Sequence, residues 1–448
     1  MRKQGSFTST HKLLASTHSF KVGDDTARRN FGLNIYLLFA VSWFLHLGAR
    51  LPFLGVIRFD LLLVCVLAYL AFVSNGETSV SKGDTGTAVT STDKILRALV
   101  VYSILTIPFV YWPGSVINTG IGNFIKAIVF YYFTVAFVRT EQDLKKLVFV
   151  FVSCQVLRIL EPLYLHVTED YWGSVAYMSA GAEALDRLSG APSDVVNPNG
   201  LAFIICFVLP FLYLMAGLSW KGWIGAILLA PSCIYALALT GSRSGIIGLS
   251  VIFLGIMAKS NRRVLWMISV VVIVVVGFSF LSSNMQDRYL SIIGAGEKNA
   301  GTAEGRVTGV VDNFVVALHR PIFGHGLGTS REANANFGGN DQPAHNLYAE
   351  IAQELGFVGL VLFIMLLKSI YVGFNECRCA YNQQNMGIFL PKLVDCMQIL
   401  LIMNFIFSFA SYGLNSYEWY FLGGMSVSMQ RLAIEAQCKV DAGRGLKE

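Results

Sequence analysis

Apolar runs of about 20 residues recur along most of this chain and constrain its fold more than any other feature. Wound as a helix, a run of that length crosses a hydrocarbon layer roughly 30 Å thick. In such a layer every backbone N–H and C=O must be satisfied within the protein, which leaves helices and closed β-barrels. Barrel strands alternate apolar and polar residues over about ten positions, whereas a stretch such as VLWMISVVVIVVVGFSFL (264–281) does not alternate. Helical spans are therefore expected. Of the 448 residues, 54% are hydrophobic and 14% charged, against about 25% charged in soluble domains, too little charge to cover a surface facing water.

Twelve spans are expected, near 31–48, 59–74, 98–112, 121–138, 147–163, 200–218, 222–239, 244–257, 264–282, 345–367, 394–412 and 416–430. The chain thus reads as an all-α polytopic membrane protein of about twelve transmembrane helices. Lys and Arg crowd the cytoplasmic ends of spans. With the N-terminus inside, 23 of the 34 basic residues fall in the inner segments, so the net charge of +6 reads as topology and not as a nucleic-acid-binding face. The expected division is an inner tail 1–30, spans one to nine within 31–282, an outer loop at about 164–199, a larger outer loop 283–344, spans ten to twelve within 345–430, and an inner tail 431–448. The first 30 residues are polar and lack an apolar core and a cleavage site, so the first span, from about Phe31, is expected to be a retained anchor. NGETSVSKGDTGTAVTSTDK (75–94) reads as a floppy connector, and VTGVVDNFVVALHRP (307–321) as an amphipathic helix within the large loop. No internal repeat is visible.

The eight cysteines lie in apolar runs or in segments assigned to the inner side, so no disulfide framework is implied. Cys377 and Cys379 form a lone CxC without a second ligand pair, and His319 and His325 have no acidic or Cys partner at metal spacing. No metal or cofactor is expected. GHGLG (324–328) lacks the following Lys-Ser/Thr of a phosphate-binding loop.

Three clusters remain. In AHNLYAEIAQELGFVGL (344–360), a helix of 100° per residue would bring His345, Ala349, Ala352, Gly356 and Gly359 to within about 40° of one direction. That small-residue stripe suits close helix approach. It would mount His345 rigidly at the water boundary, as a general base or, with Asn346, simply as the helix cap. In LTGSRSGIIGL (239–249), Arg243 sits among small residues in a short outer turn, suited to holding an anion or to snorkelling. The large loop carries Arg288, Arg306, Arg320 and Arg331, each of which also reads as a solvated charge. Lys126 and Arg158 are charges within spans and so functional candidates, although Arg158 with Glu161 three residues on also reads as a structural pair. NPNGLAFIICFVLP (197–210) opens the sixth span with residues suited to a helix start.

Three matches in order make the chain resemble the O-antigen ligase and polysaccharide polymerase superfamily. They are NPNGLA before a span, LTGSRSG between two spans, and a long outer loop ending in His345-Asn346 with Gly356 and Gly359 following. The resemblance covers about residues 197–367. It implies a metal-independent, GT-C-type glycosyltransferase of the bacterial inner membrane, both termini cytoplasmic, that takes a glycan from undecaprenyl pyrophosphate in the periplasm. Carried over, His345 would deprotonate an acceptor hydroxyl. Arg243 with Arg306, or else Arg288, would hold the pyrophosphate, and Arg320 is a further candidate. Family loops often carry an aromatic residue shortly after the loop arginine, but Arg306 is followed by VTGVVDNF, with no Trp.

Transfer to lipid A-core would make the protein a ligase, and transfer of a growing chain to a new lipid-linked unit a polymerase. A lipid-linked oligosaccharide transporter is the alternative of a different class. Transporters are frequently built from related halves, which this chain does not display.

Overall fold

The computed structural model describes residues 8–445 apart from 79–88, 174–186, 195, 261–262, 265–266, 269–278, 280–282, 291–299, 340, 385 and 412. Among the described residues there is helix and no strand. The longer helices are α1 (Thr8–Leu45), α2 (Phe59–Thr78), α3 (Ser91–Leu105), α4 (Ile121–Phe137), α5 (Glu141–Glu169), α6 (Pro198–Ala216), α7 (Trp220–Leu239), α8 (Arg243–Lys259), α9 (Ala300–Leu318), α10 (Leu347–Gln383), α11 (Phe389–Phe407) and α12 (Tyr417–Gly445).

Among the described residues, six helical stretches are long and apolar enough to cross a membrane: Pro113–Phe137, Glu141–Glu169, Pro198–Ala216, Trp220–Leu239, Leu347–Gln383 and Phe389–Ala410. The flank of α7 shows why lipid is the fitting solvent. Trp223, Ile224, Ile227, Leu228 and Tyr235 are all exposed on it, an apolar surface that in water would mark an aggregation liability. The expected ninth span, 264–282, lies mostly outside the described residues. Helix α1 runs back to Thr8 through the expected inner tail, and α12 runs on to Gly445.

Inside the bundle, α4 packs on α12, α6 on α7, and α8 on both α6 and α11, while α10 packs on α3, α11 and α12. Phe44, Phe130, Phe151, Phe207, Phe211, Tyr417 and Phe421 form an aromatic core, with Phe151 stacked on Phe421 at 4.9 Å between centroids. Basic residues expected on the inner side gather at one end of the bundle. Lys259 pairs with Asp395 at 2.8 Å, Lys392 donates to the Gly217 carbonyl, and Arg431 donates to the Val135 carbonyl. Asn197, Arg243 and Asn346 stand at the other end.

Two sequence expectations are corrected. Helix α10 is not continuous over 345–367: Gly356 has φ 70° and ψ −178°, which separates Leu347–Leu355 from the long helix that follows. The small residues from His345 to Gly359 therefore do not form one stripe. Arg158 does not pair with Glu161. Its guanidinium forks onto Asp194, in the connection between α5 and α6, at 2.6 and 3.0 Å and reaches Gln155 at 3.0 Å, while Glu161 is held by Arg50. Arg158 and Asp194 are both buried, and each needs the other's charge there.

Candidate functional site

Four chain segments meet at the end of the bundle away from Lys259 and Lys392. The first is the stretch leading into α6. Asn197 caps that helix by accepting the Gly200 N–H at 2.8 Å, with Pro198 in the first helical position. The second is the turn between α7 and α8. Ser242 caps α8 by accepting the Gly245 N–H at 3.2 Å, which puts Arg243 in the first helical position, half-buried.

Arg187, which sequence reading assigned only to an outer loop, ties these two together. Its Nε donates to the Thr240 carbonyl at 2.7 Å and its Nη2 to Asn199 Oδ1 at 2.9 Å. The short helix Ser283–Leu290 docks on the same turn, because Tyr289 donates its hydroxyl to the Ala238 carbonyl at 2.9 Å. The side chains of Arg288 on that helix and of Arg306 on α9 lie outside the described residues.

The third segment is the start of α10. Asn346 is its N-cap and accepts the N–H groups of Tyr348 and Ala349, both at 3.0 Å. His345 precedes the cap and is exposed. It stands just outside the helix, not in its first turn. The fourth segment, 408–416, joins α11 to α12, and the first turns of α10 fasten it. Asn346 Nδ2 donates to the Phe409 carbonyl at 3.0 Å, Tyr348 donates to the Phe405 carbonyl at 2.7 Å, and Glu350 accepts the Gly413 N–H at 2.7 Å. Between the first and fourth segments lies a cavity of about 100 Å³ whose lining includes Asn199, Phe203, Asn404, Ser408, Ser411 and Glu418.

The break at Gly356 is filled by the loop around GHGLG. The N–H groups of His325 and Gly326 donate to the carbonyls of Gln353 and Glu354 at 2.7 and 3.0 Å, and Phe357 donates to the Pro321 carbonyl at 2.7 Å. Tyr102 supplies the Leu355 carbonyl with a donor at 3.1 Å. Glu354 then accepts the Gly328 N–H at 2.7 Å, and the buried Gln353 amide reaches Asn313 of α9 and Asn334. A Cβ on Gly324 would lie 2.3 Å from the Glu354 carbonyl oxygen, and the residue has φ +71°, so glycine is required there.

Arg320 belongs to this clamp: it donates to the Phe109 carbonyl and its guanidinium lies 5.2 Å from the Tyr111 ring centroid. Lys126 is exposed on α4 with its ammonium on Asn123 at 3.3 Å. Arg158 lies within the Asp194 pair. None of these three contacts joins the Arg243 turn.

His325 is fully buried against Trp112 and Phe337, with Nδ1 at 3.1 Å from the Gln353 carbonyl. Its Nδ1 therefore carries the proton, and burial with the nearby charge of Arg320 holds the imidazole below its ordinary value of 6.5. A group whose pKa is depressed on folding stabilises the fold above its unfolded value, and that contribution is lost as pH falls. Thermal stability is expected to drop as pH falls below about 6.5, and His325→Phe is expected to remove that part of the drop. Melting curves of both proteins from pH 8 to 5 check this; parallel curves would exclude it.

The sequence signal for the two fastening carboxylates was present: Glu350 and Glu354 are acidic residues one turn apart at the start of an apolar helix, a placement that is functional by default. Arg187 and the 408–416 segment carried no comparable signal.

No curated protein matches the chain. A family model described as O-Antigen ligase matches residues 226–364, a stretch that holds both the Arg243 turn and the His345-Asn346 start of α10. Over that stretch, about a third of its length, the chain is similar to the O-antigen ligase family.

Proposed function

We propose that the protein is a glycosyltransferase of the bacterial inner membrane that moves a glycan from undecaprenyl pyrophosphate to an acceptor hydroxyl on the periplasmic side, as a ligase. In this reading the chain crosses the bilayer twelve times in a GT-C-type arrangement with both termini cytoplasmic, and the Arg243 and His345 end faces the periplasm. The observation that supports it is that Arg243 opens α8 and His345 stands just before the cap of α10, far apart in sequence but both within the matched stretch.

His345 takes the proton of the acceptor hydroxyl. The hydroxyl oxygen forms its bond to the anomeric carbon as the bond from that carbon to the pyrophosphate oxygen breaks, and the electron pair leaves with the diphosphate. Arg243 meets that charge from the N-terminal end of α8, where the helix dipole adds to the guanidinium. The docking of Tyr289 on the α7 end supports Arg288 as the second pyrophosphate ligand in preference to Arg306.

The test is reconstitution of the purified protein in liposomes with a synthetic undecaprenyl-pyrophosphate oligosaccharide, offering either lipid A-core or a second lipid-linked unit, with and without a chelator. Glycosylated lipid A-core is the expected product, undiminished by chelation. Extension of the lipid-linked unit instead would make the protein a polymerase. Translocation of the donor without transfer to either acceptor would overturn the reading in favour of a transporter.

A further inference from the structure

The cavity between Asn199 and Glu418 is where buried polarity is left over. Its volume of about 100 Å³ is room for several water molecules at roughly 10–15 Å³ each, or for the hydroxyl-bearing edge of one sugar ring. Asn404, 2% exposed, lines it from α11, and its Nδ2 has no hydrogen-bond partner among the described residues. A buried amide N–H left unsatisfied is costly, and within an apolar helix it calls for a ligand. Glu418, also buried, lines the same cavity and takes a hydrogen bond from Ser416.

An N–H donor and a carboxylate facing one cavity suit hydroxyl groups, which both accept and donate. A cation would be repelled by the amide N–H₂, and an acyl chain would leave both groups unpaired. The cavity is also connected to both proposed reacting ends. Asn199 receives Arg187, which holds the turn that carries Arg243, and Ser408 and Ser411 flank Phe409, whose carbonyl is held by the Asn346 cap next to His345.

We propose that this cavity holds the first sugar of the lipid-linked donor, with ring hydroxyls accepting from Asn404 Nδ2 and donating to the Glu418 carboxylate. Resting on the proposed function, the transferred sugar must lie between the hydroxyl activated at His345 and the diphosphate leaving toward Arg243, and the cavity's two walls, at Asn199 and at 408–416, are fastened to the segments that carry those residues.

The test uses the full-length protein in liposomes and a series of synthetic donors, each lacking one hydroxyl of the first sugar. The wild type is expected to disfavour at least one deoxy donor by about tenfold or more in kcat/KM. Asn404→Leu is expected to lose about tenfold or more on the complete donor and to treat the two donors alike; a change confined to thermal stability would not level them. Glu418→Gln carries the same test should Asn404→Leu fail to fold. Unchanged donor preference in the folded variant would overturn the inference and leave the cavity to structural water. Donor binding measured in the His345→Ala background separates the two readings. If His345→Ala still transfers, the base assignment falls while the binding difference stays readable; if it is inactive and the preference is unmoved by Asn404→Leu, only the sugar subsite falls.

Discussion

Replacing His345 with alanine is expected to lower glycan transfer by a factor on the order of 10²–10⁴, the range for losing a positioned general base, while the protein stays folded in the membrane. The fold is expected to tolerate the change because His345 is exposed and lies before the cap, whereas Asn346 supplies the cap and the bond to the 408–416 segment. Transfer assays on purified protein, paired with melting curves, separate the two effects. Transfer at the wild-type rate would remove His345 from the chemistry. Raising the pH, which increases the fraction of acceptor hydroxyl ionised without a protein base, is expected to narrow the gap between variant and wild type.

Gly356→Ala is expected to be strongly destabilising, costing on the order of 3 kcal/mol or more. A left-handed φ alone costs about 1–3 kcal/mol for a residue with a side chain. In addition, the new Cβ would stand 2.1 Å from the Ile322 carbonyl oxygen and 2.7 Å from that of Pro321. Neither atom is a flexible side-chain end, so the 320–328 loop must move. The measurable result is a lowered melting temperature together with new protease sensitivity between 318 and 330. Gly359→Ala is the informative contrast. Its Cβ would stand 2.3 Å from Leu355 Cβ, but its backbone has no positive φ and no carbonyl oxygen stands in the way, so a smaller loss is expected. Equal losses would mean that the break at Gly356 is not the constraint.

The helical membrane class was readable from the length and non-alternation of the apolar runs, because the bilayer imposes one dominant rule on both. Helix starts at Asn197 and Asn346 were readable too, since capping depends on residues within three positions of each other. What periodicity does not carry is which distant residue a charge finds. Arg158 has Glu161 one turn away, yet it takes Asp194 from a loop 36 residues on, and Arg187 binds a turn more than 50 residues downstream. The stripe through Gly356 failed for a related reason. Small residues at helical spacing look the same whether they admit a neighbouring helix or allow the helix itself to break. The loop that requires the break comes earlier in the chain and shares no local pattern with it. At the site, the base and anion-binding candidates were visible as motifs, while the 408–416 segment, SFASYGLNS, looked like any connection between spans.

The broken helix also limits how the protein can open. The carbonyls of Gln353 and Glu354 take their hydrogens from residues 325 and 326, so the loop there completes the hydrogen bonding of a long apolar helix. Swinging it away as a flap would strand those oxygens at the edge of a medium that offers no replacement. The stretch 320–328 is thus a fixed wall, and under the proposed function a lipid-tethered donor is expected to enter past some other edge of the bundle.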